Sequence, residues 1–201
     1  MIRAILFDLG NTIVPFDFQR GYARMEQHCQ WPAAEIPKRI AQTGLVPKFE
    51  TGDVEPEEFV ASLCAELGLR LSHQEFCDLW TSIFLPGMLI PESLLASLAQ
   101  RYRLVLVSNT NAIHFGMVRS NYPLLRHFHE LVLSHEVGAA KPSPKIYREA
   151  IVRAGCAADE CLFIDDIEMC VEGARREGMD AVRFESLSQL ERDLRVRGVI
   201  L

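Results

Sequence analysis

Five short, almost unbroken apolar runs dominate the chain: residues 4–7, 104–107, 131–133, 162–164 and 181–184. A strand that is buried on one face alternates apolar with polar residues, whereas an unbroken apolar strand is buried on both. After residue 90 the runs alternate with helical patterns over 93–101, 145–154 and 168–177, and Gly178 stands where the third helix should stop. Strands and helices in alternation predict an α/β fold. The expected architecture is a Rossmann-like, parallel five-stranded sheet with helices on both faces.

The long stretch between the first and second runs contains no comparable strand. Its apolar residues recur at three and four, as in Phe59, Leu63 and Leu67, or Phe76, Leu79, Trp80 and Ile83. Helices are expected over 18–30, 35–42, 57–67 and 73–83, with Trp80 assigned to packing. Pro15 marks one crossing into this stretch, and Pro86-Gly87 with Pro91 the other. The expected division is therefore an α/β core of 1–15 and 87–201 and an inserted helical-bundle cap of 16–86.

The net charge of −6 and the lack of any long basic run exclude nucleic acid and anionic membrane as expected partners. No apolar stretch has membrane-spanning length, and Asp8 interrupts the first run too early for a signal peptide. The six cysteines form no Cys-x-x-Cys pair. They read as small buried hydrophobes in a reducing compartment, which places the protein in the cytoplasm. Cys161 and Cys170 flank Asp165-Asp166 but are expected to pack rather than bind metal. Oligomeric state leaves no trace in the sequence.

Polar clusters follow the strands: Asp8 with Gly10, Ser108-Asn109, Lys141-Pro142, and Asp165-Asp166. Parallel strands bring their carboxyl ends to one edge, where open α/β sheets bind ligands. Each cluster has an ordinary structural reading. Asp8 could start a turn, Ser108-Asn109 could cap a helix, Lys141 could be a solvated charge, and Asp165-Asp166 could favour a helix dipole. Together they supply three carboxylates, a hydroxyl, an amide and an ammonium, an inventory suited to phosphoryl transfer. Grouped carboxylates call for a hard, oxygen-seeking cation, here Mg²⁺. A carboxylate beside it can attack phosphorus, with Lys141 and Ser108 against the phosphoryl oxygens.

The segments Phe7-Asp8-Leu9-Gly10-Asn11-Thr12, Val107-Ser108-Asn109-Thr110-Asn111, Lys141-Pro142 and Phe163-Ile164-Asp165-Asp166 resemble the four ordered motifs of the haloacid dehalogenase-like hydrolases. The helical insertion is similar to the first-type cap of that family. Phe49-Glu50-Thr51-Gly52-Asp53 with Glu58-Phe59 resembles the branch containing bacterial glucose-1-phosphate phosphatase. The resemblance implies that Asp8 is the catalytic nucleophile, forming an aspartyl-phosphate. It implies that Ser108 and Lys141 bind the phosphoryl group with Asn109 beside them. It places Mg²⁺ on Asp8, Asp166 and the Gly10 carbonyl, with Asp165 as a ligand or its support.

The chain departs from the pattern at Gly10, where most phosphatases of the superfamily carry an acid/base Asp, and at Ile167 and Cys170, where Asn is common. Losing a positioned acid costs roughly 10²–10⁴-fold in rate. Asp17 is a possible substitute but reads first as a helix N-cap, and His114 and His135 are not expected to act. The leading expectation is a Mg²⁺-dependent phosphatase acting on a small phosphorylated metabolite, with sugar phosphates, whose anomeric esters leave easily, as candidates. One alternative is a 2-haloacid dehalogenase, which needs no acid for halide but wants a cap arginine, with Arg20, Arg24 or Arg39 available. The other is a catalytically weak phosphate-binding regulator.

Overall fold

The computed structural model describes residues 1–200. The strands are β1 (Ala4–Phe7), β2 (Arg103–Ser108), β3 (Glu130–Leu133), β4 (Cys161–Asp165) and β5 (Asp180–Arg183), all parallel in the order β3-β2-β1-β4-β5. Alternation within each strand splits the core into two layers. Ile5 and Phe7 of β1, Leu104 and Leu106 of β2 and Leu162 and Ile164 of β4 face one cluster. That layer is completed by α6 (Glu92–Ala99), α7 (Ala112–Asn121) and α11 (Leu187–Val196) through Leu95, Phe115 and Leu190. Ala4, Leu6, Val105, Val107 and Phe163 face the other cluster. There they pack on Ile146 and Tyr147 of α9 (Pro144–Ala154) and Val171 and Ala174 of α10 (Glu168–Arg176). Covering both faces is what the unbroken apolar runs require.

Between β1 and β2 lie α1 (Phe18–Met25), α2 (Ile36–Thr43), α3 (Leu45–Glu50), α4 (Pro56–Leu67) and α5 (His73–Trp80). They share a core of their own. At its centre Phe59 stacks on Phe49 with ring centroids 4.1 Å apart and meets Phe76 and Trp80 edge-on. Two of the expected helices are shorter than their periodicity suggests, because residues Glu26–His28 and Thr81–Ile83 tighten into single 3₁₀ turns. Such turns keep apolar residues on nearly the same face, so spacing alone does not reveal them. Helices α3, α7 and α11, and the short α8 (Ser134–Val137) after β3, were not anticipated. In α7 the buried face includes His114 beside Phe115 and Val118, which blurs its apolar stripe.

The two crossings lie against each other. Phe16 pairs with Phe84, Asp17 N donates to Ile83 O, and Leu85 N donates to Pro15 O. A second contact lies at the far side of the insertion, where the loop after α3 meets α8. Gly52 has φ +74°, and a Cβ there would sit 2.2 Å from the carbonyl oxygen of His135. Both the dihedral and the approach require glycine. No helix of the described residues is long and apolar enough to cross a membrane.

Candidate active site

Register brings the site together. Phe7 pairs with Leu106 on one side and Ile164 on the other, so the next residue, Asp8, emerges between the ends of β2 and β4. Asp8 N donates to Ile164 O, fixing the backbone at that edge. The Lys141 ammonium donates to Asp8 Oδ1 at 2.6 Å, Asp165 Oδ2 at 2.6 Å and Val107 O at 2.9 Å. All three of its protons are used. Asp165 Oδ1 also accepts the Ile167 N–H.

Lys141, Asp8 and Asp165 are buried. Burial alone would lower the Lys141 pKa, but Asp8 and Asp165 outweigh it and hold the ammonium charged, above the ordinary lysine value. Burial pushes the Asp8 carboxyl up to about 6 against the pull of Lys141, and Asp165 adds to the rise. Removing Lys141 would leave two buried carboxylates facing each other, which is strongly destabilising.

The loop after β2 is held from two sides. Ser134 accepts from Thr110 N and donates to Thr110 O, both at 2.9 Å. The Asn109 side chain donates to Lys141 O and accepts from Lys141 N. The Asn109 amide thereby holds the Lys141 backbone beside the site. The sequence gives no signal for Ser134, whose partner lies in the loop after another strand. Ser108 is buried at the end of β2, on the wall of a cavity that also touches Gly10 and Asn109. Tyr147 supports the opposite side, donating to Cys170 O at 2.7 Å. Its hydroxyl lies 2.6 Å from where a Cβ on Gly173 would be. Cys161 and Cys170 are buried packing residues, as expected, and the six cysteines are free.

Carboxylate oxygens of Asp8, Asp165 and Asp166 lie within 4.8 Å of one another. One ammonium faces three carboxylates, so two negative charges lack a partner. Burial and Asp165 together raise the half-buried Asp166 carboxyl. An all-oxygen set with this excess charge fits a hard divalent cation.

Gly10 has no side chain, and its space is taken. A Cβ there would lie 2.5 Å from Cε1 of Phe16. The ring is placed by Asn11, which adopts φ +53° and accepts the Phe16 N–H on its side-chain oxygen at 3.0 Å. Asn tolerates this left-handed turn better than most residues. Asp17 and His114 do the structural work expected of them rather than replace the acid. Asp17 caps α1 by accepting from Gln19 N. His114 is buried and neutral, its pKa pushed down to about 4 by desolvation.

An open α/β sheet with a buried lysine between carboxylates at its carboxyl edge, and helices inserted after the first strand, is an arrangement that comparison with known proteins assigns to a family. The model of the haloacid dehalogenase-like hydrolases matches residues 2–178, and the chain belongs to that family. The D-ribitol-5-phosphate phosphatase of Bacteroides thetaiotaomicron is 26% identical over 98% of both chains. A phosphatase of Mycobacterium tuberculosis is 29% identical over the whole of this chain and 97% of its own. A family enzyme from B. thetaiotaomicron, solved with magnesium and inorganic phosphate, superposes with a TM-score of 0.84 at 28% identity. That match covers 94% of this chain and 99% of the other. The protein is a haloacid dehalogenase-like hydrolase whose relatives include phosphatases.

Proposed function

We propose that the protein is a Mg²⁺-dependent phosphatase that hydrolyses a small phosphomonoester through an aspartyl-phosphate on Asp8. The observation that carries this reading is the Lys141 ammonium bonded to both Asp8 and Asp165 at one edge of the sheet. It holds the nucleophile ionised and oriented inside a buried site. Ser108, and Lys141 once it turns one N–H from its carboxylate partners to the ester, bind the phosphoryl oxygens, and the loop held by Ser134 and Asn109 keeps them in place. Asp8, Asp165, Asp166 and the Gly10 carbonyl would hold Mg²⁺, which neutralises charge on the transferring phosphoryl group. Asp8 attacks phosphorus, the ester oxygen leaves with the bonding pair, and water then attacks the phosphorus of the acyl phosphate to return the free carboxylate.

Residues 16–86 act in this reading as a cap over the core of 1–15 and 87–201, hinged at the paired crossings. The magnesium–phosphate complex of the similar enzyme supports the metal. The ribitol-5-phosphate relative and the glucose-1-phosphate resemblance make polyol and sugar phosphates the reference esters against which substrate choice is measured. Free thiols fit a reducing compartment such as the cytoplasm. The dehalogenase alternative loses its arginine: none of Arg20, Arg24 and Arg39 lines the cavity, and Arg39 lies over the Trp31 ring.

The test is turnover of phenyl phosphate with Mg²⁺ by wild type and Asp8→Asn. The variant should fold and lose at least ~10³-fold in kcat, because an amide cannot form the acyl phosphate. Wild-type turnover by Asp8→Asn overturns the mechanism. Phosphate binding without turnover by wild type would favour a regulatory protein.

A further inference from the structure

We infer that the ester is aromatic: the cavity between sheet and insertion is a leaving-group chamber for an aryl phosphate, not for a sugar phosphate. This deepens the phosphatase reading and rests on it.

The cavity measures about 390 Å³ and begins at Gly10, Ser108 and Asn109, the phosphoryl end of the site. Its walls carry the rings of Phe16, Phe18, Tyr22, Trp80 and Phe84. These rings also brace one another, Phe16 lying 4.9 Å from Phe18 and 6.3 Å from Phe84 between centroids. No lysine or arginine lines it, so it offers no cation to a carboxylated ester. A polyol would bring several hydroxyls, each needing a partner when buried. Away from the phosphoryl end the polar groups are few. His114 has both ring nitrogens engaged, by Asn111 and by Trp80 O. Among the described residues Glu50 is the only carboxyl on the wall, and burial raises its pKa. A flat apolar group is what such walls stabilise.

The Gly10–Phe16 contact points the same way by independent chemistry. The Phe16 ring fills the space in which an acid on residue 10 would stand, so the leaving oxygen departs without a side-chain proton from that position. A phenol ionises near ~10, like tyrosine, well below an aliphatic alcohol. When Asp8 attacks, the P–O(aryl) bond breaks with its electron pair on the phenolate, which takes a proton from solvent afterwards. Water then attacks phosphorus, the P–O(Asp8) bond breaks with its pair on the carboxylate, and the water's spare proton goes to bulk. The sum is aryl phosphate plus water to phenol plus inorganic phosphate.

The experiment compares phenyl phosphate, 2-naphthyl phosphate, glucose 1-phosphate and ribitol 5-phosphate under Mg²⁺. Phenol and 2-naphthol are similar acids, so the second ring reads the chamber rather than leaving-group acidity. The expected result is a KM for naphthyl phosphate about tenfold or more below that for phenyl phosphate. Both aryl esters should exceed both sugar esters at least tenfold in kcat/KM. Phe18→Ser should bring the naphthyl-to-phenyl ratio towards one. Asp8-dependent turnover in which a sugar ester is preferred, or in which the second ring gives no gain, overturns the aryl assignment and leaves the phosphatase reading intact. If no ester turns over, the phosphatase reading falls, and isothermal titration reads the chamber alone. Saturable heat with 2-naphthol and none with ribitol supports an aromatic chamber, and no heat with 2-naphthol overturns it.

Discussion

His114 Nε2 lies 3.2 Å from the backbone carbonyl of Trp80, joining a helix of the sheet layer to the last helix of the insertion. The other ring nitrogen faces the Asn111 amide nitrogen at 3.2 Å. A carbonyl only accepts and an amide nitrogen only donates, so the neutral Nε2–H tautomer satisfies both. Protonation would set two donors against each other at Nδ1. The ring also stacks on Trp80, with 5.4 Å between centroids.

A pH dependence follows. The folded-state pKa of about 4 lies below the ordinary 6.5. Above 6.5 neither state binds the proton and the full stability is present. As pH falls from 6.5 towards 4 only the unfolded chain takes it up, so stability is lost through that window. Between pH 7 and pH 5 wild type should lose roughly 2 kcal/mol more than His114→Gln, which cannot titrate. Urea unfolding at the two pH values measures this. Equal losses in the two proteins would mean that the ring is not held neutral.

The metal prediction concerns Asp166. It is the half-buried member of the acidic trio, whereas Asp165 already serves Lys141 and Ile167. EDTA should stop turnover and Mg²⁺ should restore it. Asp166→Asn should raise the Mg²⁺ concentration for half-activation at least tenfold, and should shrink the rise in Tm that Mg²⁺ gives wild type. A variant with unchanged Mg²⁺ dependence in both assays would remove Asp166 from the metal site.

Gly52 lies in the Phe49-to-Asp53 segment that carries the branch resemblance, and its contact with α8 offers a test of how that segment affects substrate choice. Gly52→Ala meets a positive φ and the His135 carbonyl together. Gly44 has a similar φ, +63°, with nothing within 4 Å of a new Cβ. Both substitutions should lower stability by about 1 kcal/mol through the backbone. Only Gly52→Ala should also push the insertion off α8, lowering kcat/KM about tenfold and altering the ranking of esters. Matching kinetics in the two variants would show that this contact does not set the closed arrangement.

The sheet was legible in the sequence because strands buried on both faces leave unbroken apolar runs. Asp8 and Asp165-Asp166 were legible because each ends a strand or directly follows one, and a parallel sheet gathers such ends, whereas Lys141 reaches that edge from beyond α8. Phe16 was not legible as a site residue. Its place depends on a left-handed Asn11 and a side-chain bond to the Phe16 N–H, which composition and spacing do not encode. The Asn109 bond to the Lys141 backbone was not legible, since its partner lies 32 residues away. The apolar character of the cavity was equally hidden, because its walls come from the insertion, the crossings and the strand ends together.

The last prediction concerns Gly10. Restoring an acid with Gly10→Asp looks simple in the sequence, yet the new Cβ would overlap the Phe16 ring. The single variant should lose about 1–3 kcal/mol by overpacking, with no gain in rate. Gly10→Asp with Phe16→Ala opens the space that the carboxyl needs. That double variant should accelerate glucose 6-phosphate, a poor leaving group, by about tenfold or more relative to Phe16→Ala alone, and phenyl phosphate much less, because only the alkoxide needs the proton. Circular dichroism and urea unfolding establish that the compared proteins are folded. A folded double variant with equal rates on both esters would show that another group already delivers the proton. Asp17 is engaged at its helix cap, so Glu50, the carboxyl on the chamber wall whose pKa burial raises, would be the residue to replace next.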